Sequence, residues 1–308
     1  MKQKVIITGA TGFVGKQIMK FLDPAVYDFT LLTRDPEKLT DEMKRYSVVF
    51  GDLNDLDSLK KAFNGQDILI NLAAEVRNQD LLEQTNVTGT NNLIEAVKSA
   101  RISRVIHLSS VGVIGKGYSE KSHVVNETEV PAPQNKYEQT KLESEMALLN
   151  SQENFELVVL RPTNVFGEMH PFNALNNLFN HIQSGKRMIY TAQAQVNYVY
   201  VGDLCQVLIW FLENEGHAGV YQVGNATPLI KFYEQIEEKL HLQSKKMKIP
   251  DFLVRCAELA GFHKLRPVSN RVIYDDSRLK GLIGEYHFGI DKGLDLTIDY
   301  FRKNGLLK

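Results

Sequence analysis

The sequence predicts a doubly wound α/β fold, in which helices cover both faces of a parallel sheet. Short, uninterrupted aliphatic runs recur through the first half of the 308 residues, and segments of helical periodicity separate them. Strands have this composition when both of their faces are buried. The predicted strands are 5–8, 29–32, 48–50, 68–71, 105–109 and 157–160, and the predicted helices are 12–22, 55–64, 79–100 and 135–150.

The alternation becomes irregular after residue 162. The pattern there predicts helices at 173–184, 202–214, 229–240, 251–260 and 290–304, and short strands at 198–200 and 220–223. We therefore expect two domains, 1–162 and a smaller, interleaved 163–308, with segments of about 190–225 returning to the first domain.

The composition argues against several classes of function. The 36 Lys and Arg residues nearly balance the 37 Asp and Glu residues, so nucleic-acid binding is not expected. Cys205 and Cys256 have neither metal-ligand spacing nor a disulfide pattern, so we expect no metal. The longest apolar run, 207–212, is too short to cross a bilayer, which predicts a cytoplasmic protein without a membrane partner.

A glycine-rich turn, TGATGFVG at 8–15, follows the first predicted strand. Glycines at this spacing permit a tight turn and a close backbone approach to a pyrophosphate, and the following helix offers its N-terminal N–H groups. We therefore expect the first domain to bind a dinucleotide. The expected contacts in this turn are Gly9, Thr11, Gly12, Phe13, Val14 and Gly15.

The end of the second predicted strand bears on the choice of nucleotide. An acidic residue there would hold a ribose 2′-hydroxyl, whereas an Arg would pair with a 2′-phosphate. The strand ends at Thr33 and Arg34, and the guanidinium fork of Arg34 favours NADP over NAD. In the alternative interpretation, Arg34 is a solvated surface residue and Asp35 turns back to the ribose of NAD.

A third motif places Tyr137 and Lys141 four residues apart in a predicted helix, on one face. The positive charge is expected to lower the pKa of the phenol toward a range useful for acid–base chemistry. Position supports this motif, because it follows a strand that ends at Ser109 and Ser110. Ligands of doubly wound sheets bind at the carboxyl ends of the strands.

With these motifs, the chain resembles the extended short-chain dehydrogenase/reductase family over nearly its whole length. The resemblance is to the NAD(P)-dependent epimerase/dehydratase and dihydroflavonol-reductase-like group, and it implies a Rossmann-type first domain and a substrate-binding second domain. Further segments carry it: Gly51-Asp52-Leu53, Asn71-Leu72-Ala73-Ala74, Asn86-Val87-Thr88-Gly89-Thr90, the stretch 109–115 and the stretch 161–167.

The resemblance also implies roles for individual residues. Tyr137 would be the general acid or base, and Ser110 rather than Ser109 would hold the reacting oxygen by a hydrogen bond. Lys141 would bind the nicotinamide ribose and tune Tyr137. Further implied cofactor contacts are Asp52, Leu53, Leu72, Ala73, Ala74, Asn86, Pro162 and Asn164. Family resemblance also suggests a homodimer formed through the helices at 79–100 and 135–150.

The leading functional hypothesis is an NAD(P)-dependent reductase or dehydrogenase, with NADP favoured, acting on a small ketone, aldehyde or secondary alcohol. The alternative is an NAD-dependent nucleotide-sugar epimerase. A dehydratase is disfavoured, because Val111 and Gly112 stand where such enzymes need an acidic pair. A non-catalytic, NADP-sensing regulator is a second alternative, and the intact Tyr137 and Lys141 argue against it.

The expected substrate is an apolar or aromatic carbonyl compound. Val196, flanked by Gln195 and Asn197, stands where nucleotide-sugar enzymes of the family carry an Arg for the substrate diphosphate. Asn164 could still contact a phosphate and is the one feature that argues against this expectation. The residues expected to line an apolar chamber are Phe166, Met169 and Phe172.

Two further features are interpreted as structural. His107 lies in a predicted strand and is expected to be a satisfied core histidine rather than a ligand. A stripe with helical spacing is expected to belong to the core rather than to a membrane anchor, with a substrate lid as the alternative, and it consists of Phe252, Leu253, Cys256, Leu259 and Ala260.

Overall fold

The computed structural model describes residues 2–115, 123–170, 174–261 and 263–307. Its strands are β1 (Lys4–Thr8), β2 (Asp28–Thr33), β3 (Ser47–Phe50), β4 (Ile68–Asn71), β5 (Arg104–Leu108), β6 (His123–Val125), β7 (Glu156–Pro162), β8 (Asn164–Phe166), β9 (Met188–Tyr190), β10 (Gln195–Tyr200), β11 (Gly219–Val223), β12 (Asn225–Pro228), β13 (Lys246–Lys248) and β14 (Val272–Tyr274). Its α-helices are α1 (Phe13–Ile18), α2 (Leu56–Phe63), α3 (Gly89–Ala100), α4 (Lys136–Leu149), α5 (Ala174–Gln183), α6 (Val201–Glu213), α7 (Leu229–Leu240), α8 (Asp251–Leu259), α9 (Ser277–Ile283) and α10 (Gly289–Lys303).

A seven-stranded sheet has the order β11-β7-β5-β4-β1-β2-β3. The neighbouring pairs from β7 to β3 are all parallel, which confirms the predicted doubly wound, Rossmann-type α/β fold. The strand order reverses between β1 and β4, because β1 pairs with β2 on one side and with β4 on the other. At such a switch point a crevice opens beyond the carboxyl ends of the strands.

The chain divides into two compact units. The described residues of 1–115, 130–162 and 205–221 form the first unit, and those of 116–129, 163–204 and 222–308 form the second. None of the helices in the described residues combines the length and the apolarity needed to cross a bilayer.

In the first unit, helices pack an apolar face against the central strands. The side chains of Leu59 and Phe63 on α2 and of Leu93 on α3 belong to the same buried cluster as Leu69 and Val105 of the sheet. The carboxylate of Asp55 caps α2 by accepting the N–H groups of Asp57 and Ser58, which fixes where the helix begins.

Two helices of the first unit differ from their predicted bounds by several residues. Helix α1 ends at Ile18 rather than at residue 22, and turns closed by the N–H groups of Lys20 and Phe21 follow it. The segment predicted as one helix over 79–100 is a π-helix over Glu83–Thr88 followed by α3. Hydrophobic periodicity does not distinguish these hydrogen-bonding patterns over one or two turns.

The second unit contains smaller sheets, with strand orders β12-β10-β8, β13-β9 and β14-β6. An aromatic core supports them: Tyr198 stacks on Phe232 with 5.0 Å between ring centroids, and Phe166 contacts Tyr198 edge-on at 5.9 Å. The carboxylate of Asp203 accepts the N–H groups of Phe288 and Gly289 at 2.8 and 2.9 Å, so it fixes the start of α10.

Candidate functional site

The glycine turn after β1 has the geometry that a dinucleotide site requires. Gly9 has φ of +69°, and a Cβ there would lie 2.6 Å from the backbone nitrogen of Ala73. A Cβ at Gly15 would collide with the carbonyl oxygens of Gly9 and Ala10. Neither position therefore tolerates a side chain, and the loops after β1 and β4 lie in backbone contact at the switch point.

Gly12 occupies the cap position of α1, where it has no side chain to bond the N-terminal N–H groups. A Cβ at Gly12 would meet only the carbonyl oxygen of Gly9 within 4 Å, at 3.1 Å, so that side of the turn is open. An uncapped helix start beside open space suits a pyrophosphate. The turn therefore fits the phosphates of NAD.

Three polar side chains form a hydrogen-bonded row across the ends of β1, β4 and β5. The hydroxyl of Thr8 donates to Asn71 Oδ1 at 2.6 Å, and Asn71 Nδ2 lies 3.0 Å from His107 Nδ1. The same Asn71 oxygen accepts the N–H of Ala73 at 3.3 Å. Asn71 thus ties the strand that enters the glycine turn to the loop after β4.

His107 is only partly the satisfied core histidine that the sequence predicts. It is buried, and burial together with the Lys141 charge holds its pKa well below the usual range, so the ring is neutral. Its Nδ1 is bonded to Asn71, but Nε2 has no hydrogen-bond partner among the described residues. If Nδ1 accepts from the Asn71 amide, Nε2 carries the proton. Polar residues at equivalent positions of three apolar strands were the sequence signal for this row.

Arg34 faces a carboxylate. One of its guanidinium nitrogens lies 3.7 Å from Asp52 Oδ2, and both side chains are exposed. The carboxylate of Asp35 caps a short turn by accepting the N–H of Glu37 at 3.0 Å, and it lies 3.2 Å from the ammonium of Lys38. The negative charge of Asp52 thus lies where the sequence predicts a site for the 2′-phosphate of NADP.

Asn86 holds the loop after β4 in place. Its amide oxygen accepts the N–H of Glu75 at 2.8 Å, while its nitrogen donates to the Glu75 carbonyl at 3.0 Å and to the Thr140 hydroxyl at 3.1 Å. These bonds connect the segment of Leu72–Ala74 to α4. Asn86 was predicted as a cofactor contact, but in the structure its polar atoms hold the loop after β4 in position.

The predicted catalytic residues lie on α4 and at the end of β5, within the first unit. Asn135 caps α4 by accepting the N–H of Glu138 at 3.0 Å, one turn before the lysine. The Lys141 ammonium is buried and donates to the carbonyl of Leu108, the last residue of β5, at 2.8 Å. This bond anchors the helix that carries Tyr137 to the strand that leads to Ser110.

The two serines after β5 have different surroundings. Ser109 is buried and its hydroxyl donates to Glu145 Oε2 at 2.6 Å. The Ser110 side chain is partly exposed and its oxygen accepts the N–H of Gly112 at 3.0 Å, which leaves its proton for another acceptor. Of the two hydroxyls, that of Ser110 is the one suited to bind a substrate oxygen.

The pKa values differ from the sequence-based expectation. Burial, reinforced by the charge of Glu138, raises the pKa of Tyr137 to about 12. Burial lowers the pKa of Lys141 to about 8, and the charge of Glu145 opposes that shift. The expected lowering of the Tyr137 pKa is therefore wrong for the protein alone, because desolvation of the phenolate and the charge of Glu138 both raise it.

A buried ion pair beneath Lys141 is absent from the sequence-based predictions. Arg161 Nη2 and Nε lie 2.5 and 3.1 Å from Glu145 Oε1, and the Ser109 hydroxyl bonds the other oxygen of that carboxylate. Both charged residues are buried. Glu145 follows Lys141 by four residues on one face of α4, but that spacing does not indicate Arg161 as its partner.

The residues expected to form the substrate chamber lie in the second unit and are used differently. Phe166 is buried in the aromatic core, 5.7 Å from the ring of Tyr200, so it is not a chamber wall. The Asn164 amide nitrogen donates to the Asn197 carbonyl at 3.0 Å, and Val196 pairs with Thr227 in the sheet. Met169 is exposed with φ of +64°, and Phe172 lies outside the described residues.

The sequence predicts that the apolar stripe on α8 belongs to the core, and the structure shows that this expectation is wrong. Phe252, Leu253, Cys256, Leu259 and Ala260 are all exposed. Val254 is the buried apolar residue of the helix. Helical spacing identifies a shared face correctly, but it does not show what covers that face.

Comparison with known proteins agrees with this geometry. Residues 5–224 match the NAD dependent epimerase/dehydratase family. The chain is 29% identical over 266 residues to the N-acetyl-alpha-D-glucosaminyl-diphospho-ditrans,octacis-undecaprenol 4-epimerase of Escherichia coli O157:H7, covering 81% of this chain and 76% of that protein. It is 31% identical over 185 residues to a decarboxylating sterol-4-alpha-carboxylate 3-dehydrogenase of Saccharomyces cerevisiae, covering 53% and 51%.

Among solved structures, the UDP-glucose 4-epimerase of Thermotoga maritima with UDP-glucose superimposes with a TM-score of 0.76. The match covers 98% of this chain and 99% of that one at 21% identity, so it is evidence for a shared fold only. The family match spans the glycine turn, the Asn71 loop, the serine strand and the helix of Tyr137 and Lys141. The chain therefore belongs to the NAD-dependent epimerase/dehydratase family, a group of oxidoreductase enzymes.

Proposed function

We propose that the protein is an NAD-dependent 4-epimerase of a sugar carried on a diphosphate. The observation that carries this proposal is the joint occurrence of an intact Ser110, Tyr137 and Lys141 site with similarity to a 4-epimerase over 81% of the chain. This ranks the epimerase above the carbonyl reductase that the sequence alone had favoured. Val111 and Gly112 continue to disfavour a dehydratase.

NAD is the proposed cofactor, in place of NADP. A 2′-phosphate near Arg34 would have to displace the Asp52 carboxylate, which lies 3.7 Å away, and would be repelled by it. The ribose hydroxyls of NAD bring no such charge. The open glycine turn would hold the pyrophosphate of either nucleotide.

The chain's own residues would handle the proton and the reacting oxygen. Tyr137, as phenolate, would take the proton of the sugar hydroxyl when the carbon that bears this hydroxyl is oxidised. It would return that proton when the same carbon is reduced. Ser110 would donate a hydrogen bond to the same oxygen throughout. When bound, NAD supplies a reversible hydride acceptor, which an epimerase uses twice, so that no external oxidant is consumed.

Lys141 has a supporting role in this proposal. With a pKa of about 8, the Lys141 ammonium persists at neutral pH and can donate to the ribose of the nicotinamide. The phenolate of Tyr137 needs a positive charge nearby, because its pKa is raised to about 12 in the protein alone. Val196 supplies no cation, so the substrate diphosphate must be bound by other groups.

The test distinguishes three reactions by their cofactor balance. Purified protein would be incubated with a small amount of NAD and one sugar substrate at a time: UDP-glucose, UDP-N-acetylglucosamine or polyprenyl-diphospho-N-acetylglucosamine. A parallel incubation would contain NADPH and a carbonyl compound. We expect the 4-epimer of one of them to accumulate without net NADH, detected by chromatography of the released sugar. The panel also separates a nucleotide carrier from a polyprenol carrier.

Two results would contradict the proposal. Conversion of the added NAD to NADH without an epimer would identify a dehydrogenase. Stoichiometric consumption of NADPH with a carbonyl substrate, and no turnover of any sugar diphosphate, would restore the reductase hypothesis.

A further inference from the structure

Helix α8, in the second unit, presents an apolar face to solvent. Phe252 is 63% exposed and Leu259 is 82% exposed, and Leu253, Cys256 and Ala260 are exposed with them. The spacing i, i+1, i+4, i+7 and i+8 places these side chains on one side of the helix. Large apolar side chains that cluster on an exposed surface indicate a binding site, whereas single ones do not.

The helix is held in place from its other side. Val254 is buried, and the Asp251 carboxylate pairs with Arg271 at 2.6 Å at the first turn. The outward orientation of Phe252 and Leu259 is therefore fixed by contacts of the same helix. The free energy of burying these two side chains is available to a partner.

The segment around α8 is strongly basic. Residues 245–266 contain six Lys and Arg residues and two Asp and Glu residues, in a chain whose net charge is −1. Of the two acids, Asp251 pairs with Arg271, and of the six bases, Lys246 pairs with Glu237. Lys245 and Lys248, just before the helix, are exposed. Lys245 and Lys248 thus place exposed positive charge on the chain just before α8.

We propose that α8 and the lysines preceding it form a docking surface for an anionic phospholipid bilayer. In this arrangement the helix lies parallel to the membrane, with Phe252 and Leu259 between the lipid headgroups and Lys245 and Lys248 at their phosphates. Charge complementarity selects this occupant. A second copy of the chain would bring the same positive segment against itself, which disfavours self-association through this face.

This inference is independent of the proposed epimerase activity, and it requires no spanning helix. It differs from the sequence-based expectation of no membrane partner, which rested on the length of apolar runs. A helix that lies in the interface needs an exposed apolar face and basic neighbours rather than about 20 consecutive apolar residues.

The first arm of the test measures cosedimentation of the full chain with vesicles. We expect binding to phosphatidylglycerol/phosphatidylcholine vesicles at low salt, weaker binding at 0.5 M salt as charges are screened to within ~4 Å, and little binding to pure phosphatidylcholine. The double variant F252S/L259S should bind anionic vesicles at least ~10-fold more weakly, because each side chain loses its buried apolar area. The matched control F50S/V130S alters side chains that are 63% and 80% exposed elsewhere, and it should bind as the unchanged protein does.

The second arm tests charge. K245E/K248E should weaken binding to anionic vesicles by ~25-fold or more, since each basic side chain at a charged membrane contributes roughly fivefold. The control K60E/K61E reverses two exposed lysines of α2 and should have little effect. Thermal unfolding followed by the fluorescence of Trp210 checks that each variant is folded, and if F252S/L259S is not, the K245E/K248E arm decides.

The proposal is overturned if the unchanged protein does not bind anionic vesicles at low salt. It is also overturned if the control variants lose binding as much as the α8 variants do. A third contrary result is an oligomer that F252S/L259S dissociates while lipid binding is unchanged, since a second copy would then be the occupant of this face.

Discussion

Tyr137 and Lys141 lie one helical turn apart, and burial moves their pKa values in opposite directions, to about 12 and about 8. Both shifts favour the uncharged form, so each residue depends on its neighbours to carry charge. The Tyr137→Phe variant removes the phenolic proton with little change in volume. We expect turnover to fall by roughly 10²–10⁴ while the Kd for NAD stays the same, because general acid–base catalysis has that magnitude.

Tyr233→Phe is a matched control for this prediction. Burial raises the pKa of Tyr233 to about 12 as well, and its hydroxyl bonds the carbonyl of Ile189 in the second unit. It should retain most of the turnover. Steady-state rates and calorimetric titration with NAD provide the two readouts, and undiminished turnover in Tyr137→Phe would remove the proposed acid–base role.

Lys141 makes stability depend on pH. Its pKa falls from 10.5 in the unfolded chain to about 8 in the fold, so between these values the unfolded state binds more protons and stability rises with pH. The cost of the buried ammonium is fully present below about pH 8 and is lost by pH 10.5. In Lys141→Met this dependence is removed.

We therefore expect the unfolding free energy of the unchanged protein, relative to Lys141→Met, to rise by about 3 kcal/mol across that window, because the pKa of Lys141 is 10.5 in the unfolded chain and about 8 in the fold. Tyr137 acts in the opposite direction between about pH 10 and 12, but it is present in both proteins. Urea titrations at pH 7.5 and 10, followed by Trp210 fluorescence, measure the difference. A difference that does not change with pH would contradict the assignment of a buried, shifted Lys141.

Asp52 is expected to set the nucleotide preference through Arg34. In Asp52→Asn the negative charge is removed while the side-chain oxygen can still accept the N–H of Asn54, which it does at 2.9 Å in the structure. Arg34 would then be available to a 2′-phosphate, and a charge-assisted hydrogen bond corresponds to roughly one to two decades in Kd. Calorimetry should show NADP gaining affinity while NAD changes little, and NADP should gain nothing in the double variant Arg34→Ala/Asp52→Asn. Tighter binding of NADP than of NAD by the unchanged protein would refute this proposal.

At the scale of secondary-structure elements, the sequence predicted the central sheet well. Strands β1, β2, β4, β5 and β7 are buried over most of their length, so each contains a short, mainly apolar run with polar residues at or near its ends. The strands of the second unit were mostly missed. Three of them, β6, β9 and β13, have three residues each and include exposed or half-buried positions, so neither alternation nor an apolar run marks them.

The candidate site was likewise predicted only in part from the sequence. The glycine turn and the Tyr137–Lys141 pair depend on local spacing, which the sequence displays directly. The Thr8–Asn71–His107 row and the Glu145–Arg161 pair depend on contacts between residues 16 to 63 positions apart. Such contacts require the strand order and register, which periodicity does not provide.

The Glu145–Arg161 pair attaches helix α4 to strand β7. Removing Arg161 alone, as in Arg161→Met, leaves a buried carboxylate beside Ser109 without its cation, which costs roughly 3–5 kcal/mol. Glu145→Met/Arg161→Met removes both charges, and we expect it to be markedly more stable than either single variant. A urea double-mutant cycle measures this coupling, and additive single effects would indicate that the pair contributes no specific interaction.

At the scale of the whole molecule, the first unit is not continuous in sequence. Residues 205–221 belong to it, although the irregular half of the chain encodes them. The buried guanidinium of Arg104 donates to the carbonyls of Phe211 and Leu212 at 3.1 and 2.9 Å and pairs with Glu215. The family match likewise ends at residue 224, after β11.

A chain truncated after Pro162 should therefore fail to fold, because Arg104 would lose these carbonyls and the sheet would lose the apolar cover of Leu208 and Phe211, which are fully buried. A chain ending at Gly224 retains all of these partners and also Trp210. We expect it to unfold cooperatively on heating, as followed by circular dichroism, and to be stabilised by NAD, by about 2.7 kcal/mol at 100 times Kd. Arg104→Met in the full chain provides the control for the buried cation, since its loss of stability should be smaller than that of the truncation after Pro162. Cooperative, NAD-dependent melting of the 162-residue chain would show that residues 205–221 are dispensable, contrary to this division of the molecule.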